Sequence, residues 1–509
     1  MIFHQRKHTL RDAADFPIGA AVSGTPFLND AGYSGVVKRD FDGVTFEWLM
    51  KHGAIVEDNG TLNFANTDAL VNAVGSQEIF GHTLAWHENV NSVYLKNFAG
   101  ITIPDAAEML LNGNFEAGGG ALTNWNPFNL QNSSTWGPTT TASEVHTGTR
   151  AMRVQANVGD PTGQWKVQIA SDLVDTEVGK QYRISYYAKA ASGTGSIRLS
   201  TATAGGGSAQ YQGDQAIPSG TWTQIIWTIT ANSPQTRVVI DMGAQVNTYF
   251  LDEFSMKEVV TAPSGPAIAA KLEEALEDFI TTTVSRYKGK VRAWDVLNEP
   301  MSPGGDYRTS QNSTDISGIA TRENFLMWSD YMGRDYALKA FQFAAAADPT
   351  ADLYINDFGL ESSAAKTDSL IALVTELKAK GAKIDGIGTQ MHLARSNINY
   401  GGIDRMMQKL AATGLKVRIS ELDVRVVQSN ASGGMTPEFA GYQAAIYKYA
   451  IESYMKHVPV AQRAGITIWG VNDANSWLYN GGAEFPLLYD NSYNKKPAYA
   501  AVLQALQGK

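Results

Sequence analysis

Two glutamates define the chemistry open to this chain: Glu299, in the segment VRAWDVLNEP, and Glu421, in VRISELDVR. Two carboxyl groups flanking a cleft can cleave a glycosidic bond. One, kept protonated, donates to the leaving oxygen, and the other, ionised, attacks the anomeric carbon. Other polar residues crowd the ends of similar apolar segments: Glu47 and Lys51, His82 with Trp86 and His87, Asn298, Asn356-Asp357, Gln390 and His392, Asp423, and Trp469 with Asp473. Any one of them alone reads as a satisfied structural group. Their recurrence at the same end of successive segments is harder to explain by packing, because a buried polar group costs free energy unless it is paired. Metal ligation is the competing reading, since Glu, His and Asp are all present. No HxH or HExxH spacing supports it, and no P-loop or GxGxxG follows any segment.

Positioning those residues takes a scaffold whose strands all end on one side. Eight apolar, strand-like segments are present: FPIGAAV, VTFEWLM, IFGHTLAWH, VRAWDVLNEP, LYINDFG, GIGTQMHL, VRISELDVR and GITIWGVND. Amphipathic helical patterns such as AIAAKLEEALEDFITTTVSRY lie between most of them. Eight such units predict an α/β fold, a TIM (β/α)8 barrel, with its site at the C-terminal ends of the strands. Between Pro104 and Pro263 the composition turns rich in Gly, Thr and Ser, and strands such as QYRISYYAKA and TWTQIIWTIT alternate with turns. That pattern predicts an all-β jelly-roll sandwich inserted after barrel strand 3, with TAPSGP (Thr261–Pro266) as a linker. The expected division is 1–103 and 264–509 for the barrel and 104–263 for the insert. Strands 4 and 7, carrying Glu299 and Glu421, are expected to face one another across the barrel.

Composition removes several function classes. The 509 residues are 44% hydrophobic and 18% charged, enough for large folded cores. With 41 basic and 50 acidic residues the net charge is −9, a poor match for nucleic acid or an anionic membrane. The absence of cysteine excludes disulfides, thiolate metal sites and thiol nucleophiles. No run of about 18 apolar residues suggests a membrane span. The start, MIFHQRKHTL, has no apolar signal core, so the protein is expected either to be cytosolic or to have had a signal peptide removed.

The segments GHTLAWH, WDVLNEP, INDFG, TQMHL, ISELDVR and IWGVND, in this order, together resemble the glycoside hydrolase family 10 endo-β-1,4-xylanases. The resemblance covers essentially the whole chain outside the insert. It implies retaining hydrolysis of xylan, with Glu299 as acid/base and Glu421 as nucleophile. Asn298 would bond the sugar 2-hydroxyl, His392 would orient the nucleophile, Asp423 would hold His392, and Gln390 would sit beside the acid/base. Trp469 and Trp477 would wall the −1 subsite, while Glu47, Lys51, His82 and Trp86 would line −2 and −1. The pattern departs from ENxMKW to EWLMKH, which puts Trp48 and His52 at −2 positions, and Asn89 stands where Gln is common. Trp48 would stack on a sugar there or narrow the site.

The insert, with LLNGNFEAG, HTGTRAMRVQ and YFLDEFSMKEV, is similar to carbohydrate-binding modules of the family 4, 9 and 22 type. That similarity implies a groove for xylan or glucan, with Trp165 and Tyr211 as sugar platforms; internal packing of those rings is the alternative. Glu116 and Asp252 stand where such modules often hold a structural Ca²⁺. Catalysis would need no cofactor. The expectation is a monomeric endo-xylanase acting in a secreted, periplasmic or cell-surface setting. The alternatives are the same chemistry on another β-linked or decorated glycan, and a non-catalytic glycan-binding protein.

Overall fold

The computed structural model describes residues 9–101, 106–259, 263–316, 324–427 and 434–509. The chain divides into two compact units, one formed by 1–101 and 264–509, the other by 102–263. The expected boundary at 103/104, residues 1–8 and the first two residues of the proposed linker lie outside the described residues.

The first unit is a closed parallel barrel. Its strands are β1 (Ile18–Val22), β2 (Gly43–Phe46), β3 (Glu78–Ala85), β4 (Val291–Asn298), β5 (Asp352–Asp357), β6 (Gly386–Thr389), β7 (Lys416–Arg425) and β8 (Arg463–Ile468). Each pairs with its sequence neighbour in the unit, β8 pairs with β1, and β6 with β7 completes the ring. Parallel strands buried on both faces need apolar side chains throughout, and every residue of β1 (IGAAV) is buried. Gly81 in β3 is set by a close approach: a Cβ there would stand 2.1 Å from the indole of Trp294 on β4. Helices cover the outside, and several of them start on a side-chain cap. Thr436 accepts from the Phe439 amide ahead of helix Pro437–His457, and Ser363 caps helix Ala364–Ala379 in the same way.

The second unit is an antiparallel sandwich. One sheet runs Gln215–Pro218, Thr194–Ala202, Gln235–Asp241, Val167–Ser171, Trp125–Leu130. The other runs Thr223–Thr230, Gln181–Ala190, Asn247–Glu258, Ala151–Ala156, Thr135–Thr139. Alternation along Gln181–Ala190 buries Tyr182, Ile184, Tyr186, Ala188 and Ala190 between the sheets. Aromatic rings fill the centre: Phe254 stacks on Tyr186 at 4.6 Å and tilts against Trp125 at 4.7 Å. The Met109 amide donates to the Met256 carbonyl (3.0 Å), so the first and last segments of the sandwich run side by side.

The insert lies between β3 and β4, as expected. A helix, Ser92–Ala99, precedes it and packs against the long helix Pro266–Arg286 that leads into β4, with Lys271 Nζ 4.9 Å from the Phe98 ring centre. One expectation needs correction: β4 and β7 are not opposite one another. They stand three places apart round the ring, with β5 and β6 between them.

Because the sandwich enters and leaves at adjacent strands, replacing residues 102–263 with a short Gly/Ser linker is expected to leave a barrel that still unfolds cooperatively. Circular dichroism melting checks it: a helical signal with one sharp transition is expected, and a broad, non-cooperative loss would contradict it.

Candidate active site

The C-terminal ends of the barrel strands open into one cleft of about 760 Å³. Glu47, Lys51, His82, Trp86, Asn298, Glu299, Gln390, His392, Glu421, Trp469 and Trp477 line it. Asp423 lies behind His392, fully buried.

Between the two glutamates runs a chain of amides. Asn356, at the end of β5, donates from Nδ2 to Glu421 Oε1 (2.7 Å) and to Asn298 Oδ1 (2.8 Å). Ser420 Oγ donates to Asn356 Oδ1 (2.6 Å), which fixes which way that amide faces. Asn298 Nδ2 in turn reaches Glu299 Oε1 at 3.4 Å, and Gln390 Nε2 donates to the same oxygen at 2.9 Å. Glu299 itself sits just past β4 with φ of 54°, a left-handed backbone that a non-glycine residue adopts only when its surroundings hold it. Its amide donates to the Asn356 carbonyl (2.8 Å), and its own carbonyl accepts from Nε of buried Arg308 (2.8 Å). Arg308 also binds the Met301 carbonyl (3.0 Å) and both oxygens of Asp315, clamping the turn after the strand.

The two carboxyl groups are driven apart in acidity. Burial pushes Glu299 up to about 7; Arg308 and the Gln390 bond oppose the rise, and the charges of Asp357 and Glu421 add to it. Burial would raise Glu421 as well, but His392, His82 and Lys51 outweigh it and hold that carboxyl below the ordinary glutamate range. His392 Nε2 lies 3.4 Å from Glu421 Oε2 and its Nδ1 lies 2.9 Å from Asp423 Oδ2. Burial disfavours charge on this imidazole, yet Asp423 and Glu421 prevail and push it up to about 10. Trp477 donates from Nε1 to the same Asp423 oxygen (2.9 Å) while its ring stays 62% exposed at the rim. One acid that keeps its proton near neutral pH therefore shares a cleft with one that does not.

Elsewhere in the cleft, Lys51 Nζ lies 4.6 Å from the Trp86 ring centre, His82 Nδ1 is 2.9 Å from Asp295 Oδ2, and Ser23 donates to Glu47. His52 is not part of the wall. Trp48, 41% exposed, does not line this cavity, and its ring tip lies beside Gly53 near the Asn89 carbonyl. His52 opens a short helix, His52–Ile55, that turns its ring into the core against Phe279 (4.9 Å) and Trp328. There its Nδ1 accepts from the Asn91 amide (3.0 Å), and burial pushes it down to about 3. Asn89 does line the cleft. Asn356 appeared in the sequence only as a polar strand end, and Arg308 gave no signal beyond a single arginine in a polar loop. Among the described residues no set of three or more His, Cys, Asp or Glu side chains is placed to hold a metal ion.

In the sandwich, Trp165 and Tyr211, 49% and 61% exposed, line one cleft of about 330 Å³ together with Phe128. The Arg198 guanidinium lies 4.7 Å from the Tyr211 ring centre and pairs with buried Asp241 (2.7 Å). Glu116 and Asp252 do not fit a calcium cradle as they stand. Glu116 accepts from the Thr149 and Arg150 amides (2.8 and 2.9 Å) and from the Thr149 hydroxyl (2.6 Å). Asp252 accepts from the amides of His146 (3.0 Å), Thr147 (3.2 Å) and Glu253 (2.8 Å). Both carboxylates are occupied as loop staples.

The model of glycosyl hydrolase family 10 matches residues 8–111 and 248–505. The chain belongs to this family. Within the family 10 span, a carbohydrate binding domain model matches residues 107–246. Endo-1,4-beta-xylanase A of Cellvibrio japonicus is 37% identical over 245 residues, covering 45% of this chain and 39% of that protein. Endo-1,4-beta-xylanase C of Paenibacillus barcinonensis is 34% identical over 255 residues, covering 47% and 22%. The chain thus spans well under half the length of these curated relatives. Among solved structures, a thermostable mutant xylanase from Cellvibrio japonicus superposes with a TM-score of 0.57 at 23% identity, covering 98% of this chain and all of that one. This last likeness shows a shared family 10 fold.

The opposed acidities can be measured directly. With carboxyl-labelled glutamate, ¹³C NMR is expected to show Glu299 titrating near 7 and Glu421 below the usual range. In Glu421→Gln the neighbouring charge is gone, so the Glu299 midpoint should fall; an unchanged or higher midpoint would contradict the arrangement.

Proposed function

We propose that the protein is a retaining endo-β-1,4-xylanase whose inserted sandwich binds xylan. The observation that carries the reading is the pair of carboxyl groups in one cleft, one held protonated near neutral pH and one held ionised. Glu299 gives its proton to the glycosidic oxygen as the C–O bond breaks, while Glu421 attacks the anomeric carbon to form a glycosyl-enzyme ester. That ester removes the Glu421 charge, so Glu299 becomes more acidic and takes a proton from the water that releases the sugar. Asn298, held by Asn356, is placed to donate to the sugar 2-hydroxyl. His392, cationic between Asp423 and Glu421, keeps the nucleophile ionised and oriented. Trp469 and Trp477 offer ring faces to the −1 sugar, and Glu47, Lys51, His82 and Trp86 offer polar and aromatic contacts beyond it. No cofactor enters these steps. The names of the xylanase relatives support the choice of xylan. Because xylan is a polymer found outside cells, the enzyme would act outside the cytoplasm, as a monomer; among the described residues no helix is long and apolar enough to cross a membrane.

Azide separates the two roles. Glu421→Ala should lose activity by a factor on the order of 10⁴ or more, and azide should restore turnover with an α-configured glycosyl azide. Glu299→Ala should instead yield the β-azide from substrates with good leaving groups. The reverse pairing of products would overturn the assignment, and no cleavage of soluble xylan by the unmodified protein would overturn the substrate.

For the sandwich, Trp165→Ala is expected to weaken retention on insoluble xylan roughly 10-fold, in line with the loss of one stacking ring, and to leave the cleavage of soluble xylan unchanged. Affinity electrophoresis and a pull-down on insoluble xylan check this; equal retention would refute sugar binding at that cleft.

A further inference from the structure

At the opposite end of the barrel from the glutamates, the starts of β1, β2, β3, β4, β5, β7 and β8 surround a second cavity of about 210 Å³. It is lined by four cations, Arg292, Lys416, Arg418 and Arg463, and by two carboxylates, Glu78 and Asp352. Both carboxylates are committed: Asp352 pairs with Lys416 at 2.5 Å, and Glu78 pairs with Arg292. Arg463 spends Nε on the Val458 carbonyl (2.9 Å) and a second nitrogen on the Met455 carbonyl, at the C-terminal end of helix Pro437–His457, which leaves its charge without a carboxylate.

Arg418 is the unusual member. It stands in β7, three residues before Glu421, and is only 8% exposed, with its guanidinium 4.0 Å from the Phe80 ring centre. Among the described residues its one hydrogen bond goes to the Thr467 hydroxyl, and its buried Nε has no partner. No carboxylate among the described residues pairs with it. Asp295, the buried acid in the neighbouring layer, gives Oδ2 to His82. Glycines keep space beside the guanidinium: a Cβ on Gly465 would stand 3.2 Å from one terminal nitrogen, and a Cβ on Gly19 would stand 3.7 Å from the other. Asp295 and Glu78 act on this guanidinium only at a distance; a planar fork of donors, buried with no carboxylate in direct contact among the described residues and facing a cavity large enough for an ion and a few waters, matches the oxygens of an oxyanion.

We propose that the N-terminal mouth of the barrel binds a small divalent oxyanion, of the phosphate or sulfate type, on Arg418. The lining carries two more positive than negative groups, and that excess selects a doubly charged ion over chloride or a monocarboxylate. The site is independent of the glycosidase reading. An ion there neutralises a charge shared by the strand starts and stabilises the folded chain by mass action.

The test is thermal unfolding of the full chain at constant ionic strength, with sulfate or phosphate replacing chloride. The expected result is a saturable rise in Tm, roughly 5 °C at a 100-fold excess over the dissociation constant, absent with acetate. In Arg418→Met the rise should vanish, and without the ion this variant should melt no lower than the parent, since it lacks a buried unpaired charge. Should Arg418→Met fail to fold, Lys416→Met serves, with the half-saturating sulfate concentration expected to rise several-fold while the surface control Lys409→Met leaves it unchanged. A rise linear in sulfate and equal in the Arg418 or Lys416 variant is a general salt effect and overturns the proposal. So does an equal response to acetate.

Discussion

Two carboxyl groups in one cleft repel one another when both are ionised, and the active end of this barrel is organised around that repulsion. The structure resolves it by unequal surroundings. Glu421 faces His392, His82 and Lys51, so its charge has compensation close by. Glu299 has Arg308 behind its backbone and only the amides of Gln390 and Asn298 on its carboxyl group, which leaves burial to decide. Each group that holds this inequality is itself held: His392 by Asp423, Asp423 also by Trp477, Asn298 by Asn356, and Asn356 by Ser420. The strand ends of β4 to β7, with Trp477 from beyond β8, supply these partners, which is why the barrel, rather than any one loop, sets the chemistry.

Much of this was legible because it obeys short-range rules. Strands such as IGAAV are apolar throughout since both faces are buried, and the polar residues that follow each strand emerge at the same end of the ring. Gly81 could be seen in GHTLAWH, but its cause, the Trp294 ring on the next strand, required the pairing of β3 with β4. What stayed hidden depends on direction rather than residue type. His52 occupies a place that reads as sugar-facing until the helical turn His52–Ile55 rotates it into the core. Asn356 gains its importance from donating in two directions at once, and Arg308 from reaching back to the carbonyl of Glu299; neither property is written in local sequence. Trp165 and Tyr211, 46 positions apart in sequence, share a cleft because the turn Gln164–Lys166 leads into strand Val167–Ser171 while Tyr211 bridges to Ser200 of strand Thr194–Ala202 in the same sheet.

The insertion also bears on the order in which the chain folds. His82 and Asp295, neighbours on β3 and β4, are 213 residues apart. Non-local pairing of that kind is slow, because the entropy of closing the intervening loop must be lost before any contact compensates it. The bond between Met109 and Met256 changes the distance that matters. Once the sandwich has formed, the free chain between β3 and β4 shrinks to roughly a third of its length, which lowers the closure penalty by about 1 kcal/mol. A sandwich that formed first would act as a folded bridge during assembly of the barrel. A mutation that only destabilised the sandwich would slow closure of the barrel while leaving the finished cleft unaltered.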